Sequence, residues 1–206
     1  RNLLHHHTHQ QHPGPARTFW AGCGAIKRDA FMACGGFNTH YQRPSIEDIE
    51  LGNRLDRAGY AILLDPTIQC RHHKHWTLAS MLRTDIQDRA IPWCQLILAE
   101  GTAPSTLNLS LQGRLSAGLA LLVPLFAAMA VIPELQPWAA SMGVAALLGL
   151  VGLNASFHRL HQQRCGPVEG LIGIGLHLLH LWCASGTMLV LAAHHLLQRR
   201  LTTPAW

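Results

Sequence analysis

The sequence carries four groups of side chains with the types and spacing for chemistry. In Ser45-Ile-Glu-Asp-Ile-Glu-Leu-Gly52, Ser45 and Asp48 stand three residues apart, the spacing of a capping box at a helix N-terminus. A helix N-terminus favours the ionised form of a carboxylate, and an ionised carboxylate takes the proton from a hydroxyl. From spacing alone, Asp48 suits a cap as well as a base. The run Arg71-His72-His73-Lys74-His75-Trp76 is either a solvated basic loop or, with other histidines, a set of transition-metal ligands. Among those others, His5, His6, His7, His9 and His12 open the chain. Without cysteine or acid partners they read as a polar helix or loop with solvated side chains. His177 and His180 lie three apart in an apolar stretch, where polar side chains face protein or water and bond helix to helix.

Elements are needed to hold these groups. Pro13-Gly14-Pro15 breaks the histidine segment. Phe19 to Ile26, apolar and punctuated by Gly22 and Gly24, reads as a short strand running into a loop whose backbone approaches something closely. Lys27 to Ala33 follows as a helix stopped by Gly35-Gly36-Phe37. Ser45 then caps a helix with Leu51, Leu55 and Ala58 on one stripe and Gly59 at its end. Tyr60 to Leu64 is a strand, Asp65-Pro66 a turn, and Thr67 to Cys70 a second strand that delivers His72. Thr77 to Arg89 fits a further helix, closed by Pro92. Glu50 is expected on a solvated helix face.

Composition divides the chain. Beyond Leu115 the only acids are Glu134 and Glu169, in a sequence rich in Leu, Ala, Gly and Val. Leu115 to Ile132, Trp138 to Phe157 and Val168 to about Ala193 are each long enough to cross a hydrocarbon core of about 30 Å. Pro124 is expected to kink the first. Pro133 to Pro137 has no Lys or Arg, whereas His158 to Pro167 holds Arg159 and Arg164, which places the polar half and that second loop in the cytoplasm. Gln198-Arg199-Arg200 falls outside on this three-helix count, against the same rule. The basic excess is spread along the chain without a stripe, which argues against nucleic acid. The six cysteines form no CxxC pair and no disulfide framework, as suits a reducing compartment.

Four stretches in this order carry a resemblance: Phe19-Trp-Ala-Gly-Cys-Gly-Ala-Ile-Lys-Arg28, Gly35-Gly-Phe37, Ile46-Glu-Asp-Ile-Glu-Leu-Gly52 with Arg54-Leu55 and Gly59-Tyr60, and His72. Over about residues 17 to 93 the chain resembles the acceptor half of a membrane-anchored family 2 glycosyltransferase of GT-A fold. The resemblance implies an α/β fold: residues 1–113 form the C-terminal part of a Rossmann-like GT-A domain, and residues 114–206 a transmembrane region of about three helices. It implies an inverting transfer of a sugar from a nucleotide-sugar donor to a hydroxyl acceptor. Asp48 is then the base, with Glu47 supporting it, and His72 is a ligand to Mg2+ or Mn2+.

Gly22, Gly24 and Ala25 resemble the loop that lines the site near the reacting sugar. Gln87-Asp-Arg89 with Trp93 resembles a motif of processive synthases in which Arg faces the diphosphate and Trp stacks on the acceptor sugar. Ala90-Ile91-Pro92 interrupts it here, so a processive polymerase is not implied, and Trp93 equally suits a membrane interface. The Asp-x-Asp motif that holds the metal in such enzymes occurs nowhere in the chain. Because the chain opens on Arg1, a longer protein with the donor half upstream is expected. The anchor suggests a lipid-linked acceptor and a multi-pass protein of the inner or plasma membrane. Two alternatives stand beside this reading: a membrane metal-binding or transport protein using the histidine clusters, and a catalytically inactive scaffold.

Overall fold

A computed structural model describes residues 1–101 and 107–202, with side chains described through residue 199. The chain divides into two compact units, Arg1–Asn108 and Leu109–Trp206.

In the first unit, α1 (Asn2–Gln10) gathers the opening histidines on a helix. Its ends are tied to a distant segment: Gln10 donates to the carbonyl of Pro66 at 2.9 Å, and Trp76 Nε1 donates to Asn2 Oδ1 at 2.9 Å. The chain then forms β1 (Gly14–Ala16), antiparallel to β2 (Ile62–Leu64), with Gly14 opposite Leu64 and Ala16 opposite Ile62. These are the only strands among the described residues. The α/β expectation therefore meets a mostly helical unit with one two-stranded sheet.

Helix α2 (Arg28–Ala33) ends where Gly35 and Gly36 turn at φ +76° and +68°, as the sequence predicts. Helix α3 (Glu47–Arg57) ends before Gly59 at φ +82°. Ala30, Leu51 and Leu55 form the buried core between these helices, with Phe19, Phe31 and Ile62 packed against it. Glu50 is not on a solvated face. It holds Arg54 by two hydrogen bonds, 2.7 and 2.8 Å, while the guanidinium also donates to the carbonyls of Cys34 and Gly36. That fork fastens the glycine turn to α3.

Three expected elements take other forms. Phe19 to Ile26 is not a strand: its middle is a 3-10 turn, Ala21–Cys23. The Phe19 and Trp20 rings fold back over Gly24 and Gly22, which the alternating side chains of an extended strand cannot do. Thr67 to Cys70 is not a strand either, because the Asp65 carboxylate takes the Thr67 N–H at 2.9 Å and its hydroxyl at 2.7 Å, closing a turn. Pro92 does not close a helix. After α4 (Leu78–Arg83), a π-helical stretch, Thr84–Ala90, leads into α5 (Ile91–Glu100), with Pro92 in its first turn. A proline there needs no N–H, and the wider π turn makes room for its ring against the preceding carbonyl.

The second unit holds α6 (Leu111–Met129), α7 (Gln136–Leu153), α8 (Ala155–Cys165) and α9 (Pro167–Thr202). Leu111–Met129, Gln136–Leu153 and Pro167–Arg199 are long and apolar enough to cross a membrane. The second ends short of the expected Phe157, because Asn154 leaves the helix and α8 starts afresh. At 1.5 Å per residue the 36 residues of α9 run about 54 Å, well beyond a hydrocarbon core, so its basic end need not lie near the apolar zone. Polar side chains, buried at Asn154 and partly buried at Trp182, join the helices. Asn154 Nδ2 donates to Ser116 Oγ at 2.8 Å, and Trp182 Nε1 to the Ala120 carbonyl at 2.7 Å. His177 is buried against α8, with its ring 5.0 Å from Phe157 and 5.3 Å from His158. Gly170 and Gly173 admit α8: a Cβ on Gly173 would stand 2.4 Å from His161 Nδ1.

Candidate active site

Ser45 does not cap α3. The capping position is Ile46, without a side-chain bond, and the Ser45 hydroxyl donates instead to the carbonyl of Asp88 at 2.7 Å. Glu47 turns back to accept the Ser45 N–H at 2.7 Å. Asp48 is thereby released from the capping box that its spacing suggests. Its Oδ1 accepts the Ile49 N–H at 2.8 Å, and its Oδ2 the Ala21 N–H at 3.2 Å, from a loop 27 residues earlier.

Gly52, one turn along α3 from Asp48, makes that approach possible. A Cβ on Gly52 would lie 2.4 Å from Phe19 N and 2.8 Å from Thr18 Cα, so only glycine lets the backbone of residues 17–19 rest on the helix. A glycine inside a helix costs about 1 kcal/mol relative to alanine, which is the sequence signal that could have marked it. Gly22 and Gly24 line the cleft and are also closely covered from within their own loop. Their missing side chains are replaced by the loop's own rings: a Cβ on Gly22 would meet the Trp20 indole at 2.6 Å, and one on Gly24 the Phe19 ring at 2.7 Å. The glycines let the loop fold on itself and aim Ala21 N–H at Asp48.

The environment acts on Asp48 in opposite directions. Burial and the neighbouring Glu47 charge raise its pKa, while the Ala21 and Ile49 N–H groups and the Arg89 charge lower it. Burial is the largest, and the carboxyl sits above its ordinary value of 3.8. The sequence argument, from the helix terminus alone, gives the opposite sign. A raised pKa makes the carboxylate a stronger proton acceptor.

His5, His9 and Trp20 were not singled out as site residues in the sequence, yet they form one stack. The rings of His5 and His9 are 4.2 Å apart, and Trp20 lies 4.4 Å from His5 and 5.5 Å from His9, edge to face. Burial, assisted by His9, Arg89 and Arg1, pushes His5 down to about 3, and burial also lowers His9. These imidazoles are neutral and packed, not solvated. The four-residue spacing of His5 and His9 on a helix was readable; Trp20 as their partner was not.

A cleft of about 1460 Å3 runs through this unit. Gly22, Gly24, Ala25, Glu47, Asp48, His72, Arg89 and Trp93 all line it, brought there by the 3-10 loop, the start of α3, the segment after β2 and the π-to-α5 junction. Arg89 and Trp93, four residues apart across that junction, are both half-buried. His72 is exposed, and its Nδ1 accepts the Lys74 N–H at 3.4 Å. His73 and His75 are exposed and do not line the cleft. Lys74 Nζ lies 4.1 Å over the Trp76 ring. Among the described residues, no group of three or more His, Cys, Asp or Glu side chains is placed to hold a metal ion. What the cleft presents is a half-buried carboxylate of raised basicity beside a guanidinium, fit to draw a proton from a hydroxyl.

Residues 1–76 match a family described as the N-terminal domain of galactosyltransferase. Two curated relatives, both N-acetylglucosaminyl-diphospho-decaprenol L-rhamnosyltransferase of Mycobacterium tuberculosis (strains CDC 1551 / Oshkosh and ATCC 25618 / H37Rv), are each 38% identical over 52 residues. Both matches support a glycosyltransferase. The aligned stretch covers 25% of this chain and 17% of each relative's length. No solved structure matches the chain.

Proposed function

We propose that this chain is part of an inverting glycosyltransferase of family 2, GT-A type, that moves a sugar from a nucleotide-sugar donor to the hydroxyl of a lipid-linked acceptor. The observation that carries the proposal is Asp48. It stands in the first turn of α3, is oriented by the Ala21 N–H of a glycine loop as well as by the Ile49 N–H, and feels the Arg89 charge in a large cleft. The match of residues 1–76 to a galactosyltransferase domain and the rhamnosyltransferase likeness support the transfer. The acceptor named for that relative is a lipid diphosphate, which agrees with three helices apolar enough for a membrane.

The mechanism follows from the residues in hand. The acceptor hydroxyl enters the cleft and gives its proton to Asp48 as its oxygen attacks the anomeric carbon. The Ala21 and Ile49 N–H groups hold the carboxylate in place in the cleft that Asp48 lines. The Arg89 guanidinium supplies positive charge toward the departing diphosphate, and Trp93 a stacking surface for the acceptor. Glu47 binds the Ser45 N–H and shapes the turn before α3. Of a Mg2+ or Mn2+ site this chain would contribute His72 alone. The described residues do not compose a metal site by themselves, so no step is assigned to an ion. A cytoplasmic catalytic part and a multi-pass anchor in the inner or plasma membrane complete the proposal, resting on Arg159 and Arg164 between the second and third apolar helices.

The test is turnover of nucleotide-sugar donors by the full-length protein in membranes. Release of nucleotide diphosphate that depends on an added polyprenyl-diphosphate sugar is expected; release indifferent to every lipid acceptor would contradict the proposed acceptor class.

A further inference from the structure

Cys23 ends the 3-10 turn Ala21–Cys23, and Cys70 follows the turn that the Asp65 carboxylate closes at Thr67. The fold brings them together. The Cys70 thiol donates to the Gly22 carbonyl at 3.9 Å, across 48 residues of sequence. That carbonyl belongs to the peptide bond that enters Cys23, and the Cys23 and Cys70 side chains hydrogen-bond to each other. Both line the cleft, Cys70 exposed and Cys23 half-buried, so a small oxidant reaches them from solvent. A disulfide needs its sulfurs at about 2.05 Å, and thiols already in hydrogen-bond contact have a short way to close. Neither residue lies within an α-helix or a strand, so a single 3-10 turn and an irregular segment absorb the movement.

We propose that Cys23 and Cys70 are an oxidation site, which hydrogen peroxide closes to a disulfide that ties the glycine loop to the segment after β2 and suppresses sugar transfer. One sulfur, as its thiolate, attacks a peroxide oxygen; the O–O bond breaks, water leaves, and a sulfenic acid remains. The second thiol attacks the sulfenic sulfur, forming the S–S bond and releasing a second water. Two thiols are oxidised by two electrons in all, and one peroxide is reduced to two waters. A reducing compartment keeps such a pair open until oxidant rises.

The effect on transfer rests on Asp48 being the base. Ala21, whose N–H orients Asp48, shares its 3-10 turn with Cys23, and the Trp20 ring packs over Gly22 between them. Drawing the Cys23 sulfur to Cys70 turns this short loop and moves the Ala21 N–H away from the carboxylate. A reducing thiol reverses the change by exchange with the disulfide.

The experiment treats full-length protein in membranes with hydrogen peroxide, blocks the remaining thiols with N-ethylmaleimide, and maps the digested peptides by mass spectrometry, with sugar transfer measured on the same samples. A peptide pair linked through Cys23 and Cys70 of one chain, two hydrogens lighter than the separate thiol peptides and parted by dithiothreitol, is expected. Transfer should fall about 10-fold as the link forms, the scale of a small misplacement at the base, and dithiothreitol should restore it. Cys23→Ser and Cys70→Ser each remove the link, and each should keep after peroxide the rate it shows before. Peroxide treatment that yields no linked pair, the two thiols staying open to N-ethylmaleimide or passing to sulfinic acid, overturns the proposal. A linked protein that transfers sugar at the unoxidised rate overturns it as well. If the serine variants fail to fold, the wild-type protein alone decides through the linked peptide and its reversal. That peptide forms without turnover, so a protein that transfers no sugar before oxidation contradicts the proposed function while the fate of the thiol pair is still read.

Discussion

The backbone N–H of Ala21 donates to Asp48 Oδ2 at 3.2 Å, joining a glycine loop to the first turn of a helix that follows it by 27 residues. The contact depends on Gly52, where the loop backbone occupies the space of a side chain. Gly52→Ala is expected to destabilise the protein by about 1–3 kcal/mol, the usual cost of overpacking against rigid backbone, despite the better helix propensity of alanine. Gly118→Ala, also inside a helix but facing open space, should not lower the melting temperature. Thermal melts of the two variants check this, and equal effects would contradict the packing argument.

The acid side of the pH profile follows from Asp48. Its raised pKa means that transfer should fall as pH drops through a value above 3.8, since only the ionised carboxylate accepts a proton. Its effect on stability has the opposite sense, because a raised carboxyl pKa favours the folded state when protonated. Arg89→Gln removes a charge that favours ionisation, so the acid limb should move to higher pH. A pH–kcat/KM series for the two proteins measures the displacement; a shift toward lower pH would refute the stated electrostatics.

His5 gives the fold its own pH dependence. Neutral in the folded state down to about 3 but titrating at 6.5 when unfolded, it contributes stability that is complete above 6.5 and lost as pH falls toward 3. Between pH 7 and pH 5 the loss from this residue should reach up to about 2 kcal/mol, at 1.4 kcal/mol per unit. His5→Phe should keep the stack with Trp20 and flatten that slope in denaturant titrations at the two pH values.

Much of this was legible in the sequence, for physical reasons that differ by residue. The ends of α2 and α3 were readable at Gly35 and Gly59 because a left-handed backbone demands glycine. The three apolar helices were readable because twenty apolar residues admit few other fates. Ser45 misled: its spacing to Asp48 suits a cap, but its hydroxyl is drawn to the Asp88 carbonyl, a partner 43 residues away that local spacing does not display. Thr67 to Cys70 misled because strand propensity is local, while the Asp65 carboxylate captures the donors a strand would need. The direction of the Asp48 shift required burial, which a sequence does not display.

Membrane orientation is testable through the protein's own cysteine. Cys165 is exposed at the end of α8, between the second and third apolar helices. In right-side-out cells an impermeant thiol reagent should leave it unlabelled, whereas Ile132→Cys, between the first two, should react. Labelling of Cys165 in intact cells would invert the proposed topology.

The most direct measurement is sugar transfer by full-length protein carrying Asp48→Asn. Asparagine keeps one oxygen for either the Ala21 or the Ile49 N–H and loses the other acceptor, so the variant should fold with a modest loss of melting temperature while kcat falls about 10²–10⁴-fold, the usual contribution of a general base. Wild-type transfer by a folded Asp48→Asn protein would contradict the role assigned to Asp48.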